Sequence, residues 1–209
     1  MNEKHGNQAH ALVVIDVQEG FHDANYWGAT SNTKCEQNIA TLLAEWSARG
    51  LPIVVVRHDS LSPDSPLNPD RAGNRLMPFV SDATADVLVI KQVNSAFYGN
   101  PGLHDWLQAR DISRLVLCGI QTNMCVETTA RMAGNLGYDV TVALDATRTF
   151  DLSTTVPGIG EVTRTADELM TMTALNLQAG GFARVGATQE VAATRCNGQP
   201  VCNVDTVAK

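Results

Sequence analysis

A thiol, a carboxylate and an ammonium group can together hydrolyse a carbonyl compound, and this chain places one of each at the end of a buried strand. Cys125 lies in Gly119–Ile120–Gln121–Thr122–Asn123–Met124–Cys125–Val126, between an apolar run and an amphipathic stretch reaching Leu136. A thiol where a strand hands over to a helix meets unpaired N–H groups and the positive end of the helix dipole, which favour the thiolate. Asp16 closes Ala11–Leu12–Val13–Val14–Ile15, and Lys91 closes Val87–Leu88–Val89–Ile90. Attack on a carbonyl needs a base for the thiol proton, a cation beside the thiolate and N–H donors for the oxyanion. Each residue alone has a plain structural reading: a small buried hydrophobe for Cys125, a turn cap for Asp16, a strand exit for Lys91. Their joint occurrence on three strand ends points to a site.

Such a site requires parallel strands that end on one rim. Apolar, β-branched runs at 11–16, 52–56, 87–91, 115–119 and 140–145 predict buried strands, and Phe182–Val185 predicts a short edge strand. Helices fall between them. Thr33–Lys34–Cys35–Glu36 has capping-box spacing, followed by Ile39, Leu42, Leu43 and Trp46 on one face and Gly50 as a stop. Leu103–Arg110 predicts a short helix, and Gly137 ends the helix after Cys125. Thr165–Ala166–Asp167–Glu168 is a second box, with Leu169, Met172 and Leu175 expected on one apolar face. The βαβα order predicts a three-layer α/β/α sandwich around a largely parallel, Rossmann-like sheet, with ligands outside the carboxyl ends of the strands.

Two loops border that rim. Residues 17–31 carry Tyr26 and Trp27, which either wall a pocket or cover the core. Residues 61–78 hold four prolines and start beside Arg57, His58 and Asp59, as a lid or wall would. His58, Asn94 and Phe97 join Tyr26 and Trp27 as candidate substrate-binding residues.

With 209 residues the chain suits one domain over 1–190, followed by an aperiodic, mobile tail at 191–209. Fifteen basic residues against 22 acidic ones give a net charge of −7 without a basic block, which argues against nucleic acid. No run approaches the roughly 18 apolar residues of a membrane helix, and the polar start lacks a signal core, so the cytoplasm is the expected compartment. Five irregularly spaced cysteines match no zinc pattern; Cys196 and Cys202 could pair, though free thiols are expected in a reducing compartment.

Asp16 in Val14–Ile15–Asp16–Val17–Gln18, Lys91 with Ser95–Ala96–Phe97 after it, and Gly119–Val126 resemble the isochorismatase-like cysteine hydrolases. Thr129–Ala130–Arg131 and Gly137–Tyr138–Asp139–Val140 extend the likeness over about residues 11–185. The resemblance implies a six-stranded sheet of order 3-2-1-4-5-6 and an Asp16, Lys91, Cys125 triad. It also implies a cis peptide before Gln121 and an oxyanion hole formed by the N–H groups of Gln121 and Cys125. A homodimer or homotetramer acting on a small molecule without a cofactor is expected. Arg57–His58–Asp59–Ser60, Ser65–Pro66–Leu67 and Gly73–Asn74 look most like the branch that includes streptothricin hydrolase. Metal-containing nicotinamidases carry Asp-x-His and a further His in this region, whereas here the order is His58–Asp59 and the next histidine is His104, so no metal is expected. Members that hydrolyse the vinyl ether of isochorismate can lack the cysteine. The expected activity is therefore C–N cleavage of an amide, lactam or ureido compound through a thioester. The alternatives are isochorismatase-type vinyl-ether hydrolysis, a catalytically inactive binding protein, and a redox sensor using Cys125.

Overall fold

The computed structural model describes residues 10–193. Six parallel strands form the sheet: β1 (His10–Ile15), β2 (Ile53–His58), β3 (Val87–Lys91), β4 (Arg114–Ile120), β5 (Asp139–Arg148) and β8 (Arg184–Gly186), in the order β3-β2-β1-β4-β5-β8. This is the expected topology with a later number on the sixth strand. An antiparallel hairpin, β6 (Leu152–Val156) and β7 (Gly160–Arg164), intervenes and forms a separate two-stranded sheet. The hairpin has no buried face, so its sequence lacks the apolar alternation that would have revealed it.

Helices cover both faces: α1 (Ala24–Trp27), α2 (Cys35–Ala48), α3 (Pro78–Ser81), α4 (Leu103–Gln108), α5 (Glu127–Asn135), α6 (Ala166–Ala179) and α7 (Thr188–Ala193). Alternation along β1 divides the core. Ala11, Val13 and Ile15 pack with residues of α4, α5 and α6, while Leu12 and Val14 pack with Ile39, Leu42, Leu43 and Trp46 of α2 and Val191 of α7. The helix α7 runs across the boundary expected at 190 to Ala193, and the remainder of the expected tail, with Cys196 and Cys202, lies outside the described residues. Among those described, no helix is long and apolar enough to cross a membrane.

Two helix details differ from the sequence reading. The box at Thr165 and Glu168 forms as expected, but α2 starts after Lys34 without a side-chain cap. Glu36, needed for the first box, is instead 3.0 Å from both His22 and Arg148. On α6 the buried residues are Ala166, Thr173 and Leu177, while Met172 and Leu175 are exposed. The helix is rotated because Thr173 donates a 2.7 Å hydrogen bond to Glu127 on α5, fixing a mixed face that an apolar count does not find.

Gly119 sets the height of the chemically loaded turn. It pairs with Ile15 in the β1–β4 register at φ +125°, and a Cβ there would lie 2.0 Å from the Ile15 carbonyl oxygen. Gly119→Ala is expected to lower stability in urea denaturation by more than about 3 kcal/mol, because strain and backbone clash add. A change below about 1 kcal/mol would show that the turn can relax away from β1.

Candidate active site

Three strand ends deliver the site. The chain leaves β1 at Asp16, whose φ of +53° lies in the left-handed region rare for residues other than glycine, and whose N–H donates to the Val56 carbonyl at 2.9 Å. β3 ends in Lys91, two strands away. With strands about 4.8 Å apart, the side chain must span roughly 10 Å along the sheet. It does: Nζ lies 2.5 Å from Asp16 Oδ2 and 3.3 Å from Cys125 Sγ. The Lys91 and Asp16 side chains are both fully buried.

Cys125 sits in a π-helical turn, Thr122–Val126, that joins β4 to α5. The peptide between Ile120 and Gln121 is cis. The turn is tied to the end of β5, where Thr122 Oγ1 donates to Thr147 Oγ1 at 2.8 Å and Thr149 Oγ1 donates to Asn123 Oδ1 at 2.5 Å. Thr129, one turn later, accepts from the Ala96 N–H at 3.1 Å and so fastens α5 to the segment after Lys91. Thr122 and Thr129 fall within the motifs that carry the likeness but had no role assigned, and Thr147 and Thr149 stand outside those motifs. The cluster at 147–149 is the signal that could have marked them.

Burial dominates the electrostatics. It raises the Asp16 pKa above the ordinary carboxylate value, although the Lys91 charge pulls it down. Burial alone would lower the Lys91 pKa, but the charges of Asp16 and Cys125 outweigh it, so the ammonium is retained. Burial and then the Asp16 charge push the Cys125 thiol up, against the pull of Lys91. Burial and the Asp16 charge thus oppose the lowering expected from the helix terminus. The retained ammonium thus lies beside both a carboxyl group of raised basicity and the thiol. Asp16 Oδ1 is buried without a hydrogen-bond partner.

The other expected residues separate. His58, the register partner of Lys91 on β2, places Nδ1 3.2 Å from Lys91 Nζ. Asn94 is exposed and lines a cleft of about 750 Å³ together with Lys91, Val93, Ser95, Tyr98 and Thr128. Phe97 does not line it: the ring is buried and stacked on Tyr138. Tyr26 and Trp27 do not line it either. Trp27 stacks on Phe21 and Phe150, donates to the Gly20 carbonyl at 2.8 Å and packs on the core cluster opposite Cys125, while Tyr26 is exposed against its edge. Aromatic residues near a strand end fit pocket and core equally well in sequence; here Phe97 and Trp27 pack on the core and Tyr26 lies exposed against Trp27.

The loop after β2 is pinned by its own polar contacts. Arg57 holds Asp59 through Nε to Oδ1 at 2.8 Å and Nη2 to Oδ2 at 3.1 Å, and Asn74 Nδ2 donates to the carbonyls of His58 and Leu67. Gly73 and Gly20 meet backbone to backbone, so a Cβ on Gly73 would lie 2.8 Å from the Gly20 Cα.

The sheet order and this site define the class, and residues 10–174 match the Isochorismatase domain: the chain belongs to the isochorismatase family. It is similar to the isochorismatase family protein YrdC of Bacillus subtilis, 37% identical over 142 residues that cover 68% of this chain and 75% of the relative. A solved isochorismatase-family structure from Chromobacterium violaceum superposes with a TM-score of 0.80 at 38% identity, covering 90% of this chain and 94% of that one. Streptothricin hydrolase of Streptomyces noursei is 30% identical over 155 residues, 72% of this chain and 58% of its own length.

Proposed function

We propose that this protein is a cysteine-dependent hydrolase that opens a C–N bond in a small amide, lactam or ureido compound through a thioester. The contact of one buried ammonium with both Asp16 and Cys125 carries this reading. The thiol gives its proton to Asp16 as sulfur attacks the carbonyl carbon, so the negative charge passes from carboxylate to sulfur and on to oxygen while Lys91 stays beside it. The N–H groups of Gln121 and Cys125 hold the oxyanion, a role typically worth about 10²–10³ in rate. Collapse expels the amine, which takes the proton back from Asp16. Asp16 then removes a proton from water, which attacks the thioester and releases the acid and the thiol. Similarity to streptothricin hydrolase supports an amide-type substrate.

An Asp16 carboxylate oxygen, a His58 ring nitrogen and Cys125 Sγ lie within 4.8 Å of one another, a spacing that could suit a metal ion. The donor set does not fit one, because Lys91 Nζ already contacts all three side chains and a cation among them would face the ammonium. Screening amides, lactams and ureido compounds for released amine or ammonia is therefore expected to find activity that survives exhaustive chelation. Activity lost on chelation and restored by zinc or iron would overturn the metal-free mechanism. A screen that releases acid only from vinyl ethers would favour the isochorismatase-type alternative.

A further inference from the structure

An ammonium group has three N–H bonds, and Lys91 Nζ has three side-chain partners: Asp16 Oδ2 at 2.5 Å, His58 Nδ1 at 3.2 Å and Cys125 Sγ at 3.3 Å. In the proposed mechanism the first and last of these exchange a proton and a charge. The imidazole takes no part in that exchange. An ammonium has no lone pair to offer, so His58 Nδ1 must accept and the ring proton must reside on Nε2. The ring's further partner is the backbone of Val93.

The backbone that carries the ring is held from behind. Gln18, fully buried, accepts from the His58 N–H at 2.9 Å and donates through Nε2 to the His58 carbonyl at 3.0 Å and the Asn74 carbonyl at 2.8 Å. Asn74 Nδ2 adds a second donor to the His58 carbonyl at 3.1 Å. A buried glutamine whose amide is used at both ends fixes the last residue of β2 beside the last residue of β3.

We propose that His58 is a positioning residue whose neutral Nδ1 keeps the Lys91 ammonium on Asp16 and Cys125, and whose protonation in acid releases it. The mechanism above supplies only the reason that Lys91 must be held. The charged and titratable groups around the ring are Asp16 from the end of β1, Lys91 from β3, Cys125 from the π-helical turn, and Asp59 on its own segment, itself bound by Arg57. Burial and the Lys91 charge disfavour the imidazolium more than Asp16 and Asp59 favour it, so the ring titrates below its ordinary value of 6.5. Above that range it accepts from Lys91. Below it, Nδ1 carries a proton, the hydrogen bond has no acceptor, and two cations face each other at 3.2 Å.

The test reads the thiol rather than turnover, so failure of the amide-hydrolase reading in a Cys125→Ala assay leaves it intact. Alkylation of Cys125 by iodoacetamide is followed by peptide mass spectrometry across the acid and neutral range in the wild type, His58→Asn and His58→Leu. Asparagine offers a neutral oxygen near the Nδ1 position and does not titrate; leucine offers no acceptor. His58→Leu is expected to slow alkylation near neutral pH by about tenfold or more, the effect of losing a hydrogen bond to a charged group. His58→Asn is expected to restore most of the rate and to show an acid limb shallower by one proton than the wild type. A wild-type rate in His58→Leu overturns the proposal. So does a His58→Asn protein, with unchanged circular dichroism and melting, that is as slow as His58→Leu or keeps the wild-type acid limb. If His58→Leu fails to fold, the acid limbs of His58→Asn and the wild type decide the matter alone.

Discussion

Replacing Cys125 with alanine is expected to abolish amide turnover while leaving the fold intact. The sulfur is 3.3 Å from a fully buried ammonium, and the residue is only 9% exposed, so alanine removes the nucleophile while the ion pair stays buried. An oxyanion hole stabilises charge only on a carbonyl attacked from the adjacent nucleophile, so its contribution disappears with the sulfur. Acid-quenched wild-type enzyme, digested and examined by mass spectrometry, should carry the acyl group on the peptide containing Cys125. Cys35 and Cys118 should remain unmodified, because both are buried in the opposite core cluster, away from the carboxylate and the ammonium that flank Cys125. Full steady-state activity in Cys125→Ala would end the covalent mechanism. An acyl group confined to another cysteine would do the same.

The second large effect belongs to the ion pair of Asp16 and Lys91. Breaking a buried pair by removing one partner typically costs about 3–5 kcal/mol, because the other charge stays buried without compensation. Asp16→Asn is expected to lose stability of about this size and also the base for both chemical steps. Lys91→Met should be destabilised to a similar degree. Asp16→Asn combined with Lys91→Met leaves no uncompensated charge, so the double variant should regain much of the stability and remain inactive. Urea denaturation of the four proteins measures the coupling. Simple addition of the two single losses would show that the side chains do not act as a pair.

The sequence alone determined the layers and the rim on which the chemistry lies, and its resemblance to the isochorismatase-like hydrolases implied the strand order. Apolar runs of strand length are buried on both faces in a parallel sheet, and that constraint is local enough to be legible at 11–16, 52–56, 87–91, 115–119 and 140–145. Asp16, Lys91 and Cys125 could be named because each closes or follows such a run. The exposed hairpin at 152–164 was not legible, since no buried face imprints a pattern on it. Nor was the rotation of α6, which follows from a hydrogen bond between Thr173 and Glu127, distant in sequence.

Only the tertiary structure decided what the candidate groups touch. Tyr26, Trp27 and Phe97 have the composition of a pocket wall, yet Trp27 and Phe97 bury aromatic area in the core and Tyr26 lies against Trp27, while Asn94 reaches the cleft. His58 is placed on Lys91 by the β2–β3 register and the Gln18 clamp, neither of which is written in its neighbours. The protonation of the site was likewise decided in three dimensions. A helix terminus, visible in sequence, predicts a lowered thiol pKa. Burial and the carboxylate beside the thiol push the other way.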